Sequence, residues 1–127
     1  MEELILNVNW TAVIVGSVLA YILGAVWYSP KVFGKVWMRG NNLSEGNKGG
    51  MFKPMFVQAV GTFLFALVIG IMATSDSLWL AMLITLTIAS FIKANGLFAN
   101  KGMGAIAVES TFIIVMAIVM IAVQAVL

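Results

Sequence analysis

Hydrophobic residues form four long runs along the chain, and short stretches between the runs hold most of the polar and charged positions. A helix needs about 20 mainly apolar residues to cross the hydrocarbon core of a bilayer. The pattern predicts such spans over residues 10–28, 55–73, 78–95 and 105–126. Short connections favour antiparallel neighbours. We therefore expect an all-α membrane protein, a single domain over residues 1–127 with four transmembrane helices in an antiparallel bundle.

Composition supports this class. The 127 residues are 62% hydrophobic and only 9% charged, whereas soluble domains carry about 25% charged residues. Mean hydropathy is +1.07. The chain begins with Glu2 and Glu3 instead of the positive region of a signal peptide. We therefore expect the first apolar run to remain in the protein as a span.

Charges segregate to one side of the predicted bundle. All seven basic residues lie in the loop after the first span or in the region from the end of the third span to the fourth; they are Lys31, Lys35, Arg39, Lys48, Lys53, Lys93 and Lys101. The opposite side has Glu2, Glu3 and Asp76 with no Lys or Arg. Positive charges favour the cytoplasmic side. This predicts a multi-pass protein of the cell inner membrane with both termini non-cytoplasmic. The net charge of +2 is explained by this topology, and no nucleic-acid partner is expected.

The first span ends in an aromatic pair followed by proline. Trp27 and Tyr28 have the position of an aromatic belt at the cytoplasmic membrane interface. Pro30 is suited to begin a new helix, because the first turn of a helix does not need its missing N–H.

Basic residues recur every fourth position after this proline. Lys31, Lys35 and Arg39 would share one helix face, opposite Trp37 and other apolar residues. This predicts a short interfacial amphipathic helix over residues 31–38 that contacts anionic lipid head groups, with Trp27, Tyr28 and Trp37 at the same level. An irregular solvated loop is the alternative, since Gly34 weakens a helix. Residues 40–50, which are rich in Gly and Asn, predict a flexible linker.

The same segment carries a family resemblance. It resembles the first helix and adjoining loop of a family of small bacterial membrane proteins known as domain of unknown function 1761. The shared pattern is Gly-x-x-Trp-Tyr-Ser-Pro, then Phe-Gly-Lys-x-Trp-Met, at Gly24, Trp27, Tyr28, Ser29, Pro30, Phe33, Gly34, Lys35, Trp37 and Met38. The resemblance implies four spans and no particular chemistry. Where the family has Asn and then an aromatic residue early in the fourth helix, this chain has Glu109 and Phe112.

Polar residues inside the spans are the candidates for function. Glu109 is predicted about 6 Å inside the fourth span, and Lys93, Gln58 and Asn95 lie near the same level in other spans. Charged groups at such depth pair, face the bundle interior or mark a pathway. One interpretation is a Lys93–Glu109 pair lining a cytoplasmic vestibule for an ion or a substrate. In the other, Lys93 reaches the head groups and Glu109 lies near the interface.

Several chemistries find no support in the sequence. It has no histidine and no cysteine, and paired carboxylates are absent from the predicted spans. We therefore expect no enzymatic activity, no metal site and no cofactor. The nine methionines are interpreted as packing residues.

Two classes of function remain open. One is a small oligomeric transporter or channel that uses the polar layer around Glu109. The other is a non-catalytic assembly, lipid-interacting or accessory protein. A parallel homo-oligomer is expected in both cases, because the charge bias disfavours antiparallel partners. Stripes of small residues are interpreted mainly as packing within the bundle, with subunit contact as the alternative. Gly16, Ala20 and Gly24 are spaced by four, as are Ala66 and Gly70, while Ala81 and Ala89 flank Thr85.

Overall fold

The described part of the chain is helical throughout. A computed structural model describes residues 2–42 and 52–127, and the predicted linker from residue 43 onward lies outside these ranges. The helices are α1 (Glu2–Leu6), α2 (Trp10–Trp27), α3 (Gly34–Gly40), α4 (Phe52–Thr74), α5 (Leu78–Phe98) and α6 (Met103–Val126). The all-α prediction is confirmed.

Four of these helices have the length and composition to cross a membrane. They are α2, α4, α5 and α6, of 18, 23, 21 and 24 residues. At a rise of about 1.5 Å per residue they measure about 27–36 Å, which matches the hydrocarbon core. The four-span prediction is confirmed. Helices α4 and α5 begin and end within three residues of the predicted second and third spans, and α6 begins two residues before the predicted fourth.

Helix α6 is the centre of the bundle. It packs against α5, α2 and α3, while α4 packs mainly against α2 and has smaller contacts with α5 and α6. Eight residues of α6 are buried, against four in each of the other spanning helices. Groups along α6 therefore have the most protein contact of any in the spans.

Apolar side chains and small residues form the core. Val13, Ile69, Met116 and Met120 are its buried centre. The predicted small packing residues are also in the interior: Gly16, Ala20, Ala66, Gly70, Ala81 and Ala89 are buried, and Gly24 is half-buried beside the Phe112 ring. The prediction that these residues pack within the bundle is confirmed.

Interior hydroxyl groups bond to their own helices. Thr62 donates to the Gln58 carbonyl at 2.7 Å, Thr85 to the Ala81 carbonyl at 2.7 Å, and Ser110 to the Ile106 carbonyl at 2.9 Å. A hydroxyl that donates to a carbonyl of its own helix needs no polar partner from a neighbouring helix. Over residues 2–42 and 52–127 no buried side-chain nitrogen or oxygen lacks a partner. The polar side chains inside the described bundle are therefore satisfied by partners within the protein.

A short helix follows the first span, as predicted, but begins three residues later than expected. The predicted range was 31–38, and α3 covers Gly34–Gly40. The chain first turns back on the end of α2, where the Gly34 N–H donates to the Ser29 carbonyl at 2.8 Å. A Cβ on Gly34 would lie 2.7 Å from the Ser29 carbonyl carbon. Gly34 thus permits a sharp turn instead of weakening a continuous helix.

Candidate functional site

Glu109 lies in the second turn of α6 and is held by two groups from elsewhere in the chain. The indole Nε1 of Trp37 donates to Oε2 of Glu109 at 2.7 Å. The ammonium of Lys101 lies 3.2 Å from Oε1 and 3.1 Å from Oε2. The Glu109 side chain is 17% exposed and that of Lys101 is 32% exposed. Glu109, Lys101 and Trp37 are called the carboxylate cluster below.

The end of α5 positions Lys101. Asn100 has a φ of 58°, a left-handed conformation that asparagine tolerates better than most residues. The Asn100 N–H donates to the Leu97 carbonyl and the Lys101 N–H to the Gly96 carbonyl, at 3.1 and 3.0 Å. These two bonds are those of a Schellman motif, which ends a helix and reverses the chain. Lys101 is therefore fixed beside the start of α6.

Close backbone contact between α3 and the start of α6 positions Trp37. The Gly102 N–H donates to the Gly40 carbonyl at 2.9 Å. A Cβ on Gly40 would overlap the Cβ of Ala105, so only glycine permits this approach. Trp37 precedes Gly40 by three residues, and its indole thereby reaches Glu109.

An aromatic wall lies beside the carboxylate cluster. The ring of Tyr28 packs edge-on against Trp37 and against Phe112, with centroid distances of 5.4 Å in both pairs. Trp27 lies 6.1 Å from Phe112, and its indole Nε1 donates to the Val108 carbonyl at 3.1 Å. We call Trp27, Tyr28, Trp37 and Phe112 the aromatic wall. These rings pack α2 and α3 against the first half of α6, which begins at Met103.

Tyr28 follows the last residue of α2, and burial together with the charge of Glu109 in the carboxylate cluster affects the pKa of its phenol. Burial, and to a smaller extent the negative charge of Glu109, raise the pKa of the Tyr28 phenol to about 12. Both causes disfavour the phenolate. Tyr28 is therefore a neutral hydroxyl at physiological pH.

The structure corrects the predicted ion pair. Glu109 pairs with Lys101 and not with Lys93. Lys93 is exposed, and among residues 2–42 and 52–127 it forms no salt bridge. Asn95 is exposed as well, and the amide of Gln58 bonds only weakly to Thr62, at 3.5 Å. Of the four predicted site residues, only Glu109 belongs to the carboxylate cluster.

The predicted head-group contact of Trp27, Tyr28 and Trp37 stays a prediction. The three rings are half-buried, and the indole N–H groups of Trp27 and Trp37 donate to acceptors on α6. The basic residues of that prediction, Lys31, Lys35 and Arg39, are exposed. The Asn-Lys-Gly sequence at residues 100–102 favours a turn that leaves Lys101 near the start of α6, but it does not give the direction of the Lys101 side chain.

Two clefts lie elsewhere on the bundle. One, of about 240 Å³, lies between α2 and α4 and is lined by Ser17, Val18, Tyr21, Ile22, Ala59 and Thr62. The other, of about 220 Å³, lies at the opposite end from the basic residues and is lined by Asn7, Asn9, Gly70, Ala73, Thr74 and Gln124. Neither includes a residue of the carboxylate cluster. In the cluster, the Lys101 ammonium contacts both oxygens of the Glu109 carboxylate.

Comparison with known families identifies the group to which this fold belongs. A family model described as "Protein of unknown function (DUF1761)" matches residues 11–125. The chain belongs to the DUF1761 family. No curated protein and no solved structure matches the chain. The DUF1761 match covers all four spanning helices, α3, and every member of the carboxylate cluster. Together with the four apolar helices, it identifies a multi-pass membrane protein. The family description names no activity, so a function has to be argued from the site.

Proposed function

We propose that this protein is a small transporter or channel in which Glu109 is the carboxylate that engages an ion or a small solute. The observation that carries this proposal is the carboxylate cluster itself. Glu109 is the only acidic residue in the spanning helices, is 17% exposed, and is neutralised by one lysine that is more exposed than itself. A carboxylate at the end of a span, paired with a lysine that another cation can replace, is suited to binding and releasing a charged ligand.

The energetic cost of the cluster supports a functional role. Removing two charges from water is expensive, and apolar residues of similar volume often stabilise a fold as well as a buried ion pair. Charged residues within spans accordingly tend to mark ion or substrate pathways. Ser110 beside Glu109 bonds to its own helix, and Val108 and Phe112 are buried. Packing alone would be served by an apolar residue at position 109.

A route past the cluster has to lie at a surface of the bundle or form by movement. Interior hydroxyls of the described residues bond to their own helices, and the core around Val13 and Ile69 is fully buried. Large apolar side chains remain exposed along each span, among them Ile14, Phe63, Leu86 and Ile118. We propose a parallel homo-oligomer, in which part of this apolar surface is covered by other copies and the route runs between them.

The proposal includes an orientation. Basic residues lie at the end of the bundle that holds the carboxylate cluster, while Glu2, Glu3 and Asp76 lie at the other. The positive-inside rule places the cluster at the cytoplasmic face of the cell inner membrane and both termini outside. Exposed Lys35 and Arg39 on α3 are suited to anionic head groups. We propose no enzymatic activity and no nucleic-acid partner.

A second candidate is a non-catalytic role in membrane assembly or lipid interaction. The interior of the described bundle favours it, because Thr62, Thr85 and Ser110 bond to their own helices and no buried side-chain nitrogen or oxygen of the described residues lacks a partner. In this case the carboxylate cluster would serve only to hold α3 on α6.

Flux through liposomes separates the two candidates. Purified protein is reconstituted, and flux of a panel of monovalent and organic cations is followed with pH- and potential-sensitive dyes. Transport predicts flux above that of protein-free liposomes, loss of flux in Glu109→Gln, and retention in Asp76→Asn. Asp76 is the matched control: it is exposed at the opposite end, and its φ of 54° suits asparagine. Flux that is equal in Glu109→Gln and wild type would contradict the role of Glu109.

A further inference from the structure

The Lys101 ammonium is a cation that binds Glu109 and is carried on a flexible side chain. It contacts both carboxylate oxygens, at 3.1 and 3.2 Å, yet its side chain is 32% exposed. Its backbone belongs to the turn between α5 and α6 and is fixed there by the Gly96 carbonyl. The four-carbon stem can therefore swing the ammonium into water without any change in the helices. Such a movement would free a carboxylate that remains bonded to Trp37.

The surroundings of Glu109 select the kind of cation that would replace the ammonium. Tyr28 contacts both Trp37 and Phe112, with ring centroids 5.4 Å away, and Trp37 itself bonds to Glu109, so the aromatic wall adjoins the carboxylate. Faces of aromatic rings attract cations, and quaternary ammonium ligands are recognised in this way. Burial is the larger cause of the raised pKa of Tyr28, and the charge of Glu109 is the second. A single carboxylate supplies the charge of one monovalent cation.

Other ligand classes fit less well. Divalent Mg²⁺ and Ca²⁺ require about six or more oxygen ligands, whereas the cluster offers one carboxylate and an indole N–H, which cannot coordinate a metal. An anion would be repelled by Glu109. A neutral solute would leave the carboxylate without a counter-charge once Lys101 moved away.

We infer that the carboxylate cluster binds a monovalent organic cation, which takes the place of the Lys101 ammonium on Glu109 and lies against the aromatic wall. This inference rests on the proposed transport role, for which it names the substrate class. Lys101 acts as an internal competitor: its ammonium occupies the carboxylate between binding events. The resting site is therefore neutral, in agreement with the ion pair.

Competition makes a specific prediction for affinity. If Lys101 occupies Glu109 about nine-tenths of the time, only about one-tenth of the molecules are ready to bind, and the apparent affinity falls about tenfold. Lys101→Met should therefore bind a cation about tenfold more tightly than wild type. Glu109→Gln should lose at least about tenfold, because the charge is gone. Lys53→Met is the matched control, since it also removes one exposed lysine at the same end and should leave affinity unchanged.

The experiment uses tetraphenylphosphonium as the probe and full-length protein in nanodiscs. Affinity is measured by isothermal titration calorimetry for wild type and the three variants. Tetraphenylborate, of the same shape and opposite charge, should not bind at the site. The wild-type protein gives a second readout, in which the probe should slow modification of Glu109 by dicyclohexylcarbodiimide, followed by mass spectrometry. This readout applies even if a variant fails to fold.

The outcomes separate this inference from the proposed function. Tighter binding by Lys101→Met together with protection of Glu109 supports the substrate class, even if no flux is found and transport is thereby overturned. Unchanged affinity in Lys101→Met, retained affinity in Glu109→Gln, or no protection at saturating probe would overturn the inference. Glu109-dependent flux of another ion would in that case leave the transport role standing.

Discussion

The indole nitrogen of Trp37 and Oε2 of Glu109 lie 2.7 Å apart, although 72 positions separate these residues in the chain. This bond connects α3 to α6 at the level of the Lys101 ion pair. It makes one carboxylate serve two purposes, because Glu109 both neutralises Lys101 and holds the short helix in place.

Loss of the indole donor should loosen α3. Trp37→Phe keeps most of the aromatic surface and removes the bond to Glu109. Hydrogen bonds to charged groups contribute about 1.5–3 kcal/mol, and partial exposure should reduce the effect to about 1–2 kcal/mol. Unfolding in mixed micelles measures the loss, and amide exchange of Gly102, which bonds to Gly40, measures the loosening. Trp79→Phe is the control, since Trp79 is 70% exposed. Equal stability of the two variants would contradict the account.

A methyl group at position 40 should separate α3 from α6. Gly40→Ala places a Cβ against Ala105, and overpacking of this kind costs about 1–3 kcal/mol. The Trp37–Glu109 bond should break with it, which quenching of tryptophan fluorescence would detect. Gly61→Ala is the matched control, because its Cβ would meet no atom within 4 Å. That variant should be neutral or slightly more stable, since alanine favours a helix by about 1 kcal/mol over glycine. Similar stability loss in both variants would argue against the close contact.

The raised pKa of Tyr28 predicts that its phenol ionises at a higher pH than that of an ordinary tyrosine. An unfolded tyrosine ionises near pH 10, whereas the pKa of Tyr28 in the fold is about 12. Its contribution to stability should therefore be complete below pH 10 and be lost as pH rises through 12. Ultraviolet absorbance of the phenolate follows the titration. Glu109→Gln should lower this pKa only partly, because burial is the larger cause.

Tyr28→Phe provides the control for this titration. It should remove the late component of the absorbance curve and leave the rest unchanged. A curve that is identical in wild type and Tyr28→Phe would show that Tyr28 does not titrate as the structure requires.

Sequence patterning predicted the spans because length and apolarity alone determine which segments can cross a bilayer. It also indicated Glu109, because an acidic residue within an apolar run is recognisable whichever way its helix faces. It did not predict the partner of Glu109. The sequence indicates only how deep a residue lies along a helix. By that measure Lys93 matches the depth of Glu109, whereas Lys101 lies in a predicted loop. The direction of Lys101 depends on the left-handed Asn100, which only the folded turn shows.

The aromatic residues show a similar limit. Trp27, Tyr28 and Trp37 occupy sequence positions that suit an interfacial belt, and a pattern cannot tell whether such a ring faces lipid or a neighbouring helix. The deciding factor was Gly34, which lets the chain turn back at Ser29. That turn brings α3 onto α6 and directs the Trp37 indole to Glu109.

Orientation in the membrane is testable with single cysteines, because the chain has none of its own. Ser75→Cys lies in the exposed turn after α4 and should react with an impermeant maleimide added outside intact cells. Ala99→Cys, exposed at the opposite end, should react only in inverted vesicles. The positive-inside rule gives this expectation. The reverse labelling pattern would show that both termini are cytoplasmic.

The identity of the lysine that pairs with Glu109 is the central claim, since both the proposed function and the cation site depend on it. Double-mutant cycles of unfolding free energy test it most directly. Glu109→Gln is combined with Lys101→Met in one cycle and with Lys93→Met in the other. For a partly exposed pair, the account predicts a coupling of about 0.5–1 kcal/mol between positions 109 and 101. Between 109 and 93 it predicts simple additivity within about 0.3 kcal/mol. Coupling to Lys93 and none to Lys101 would contradict the account.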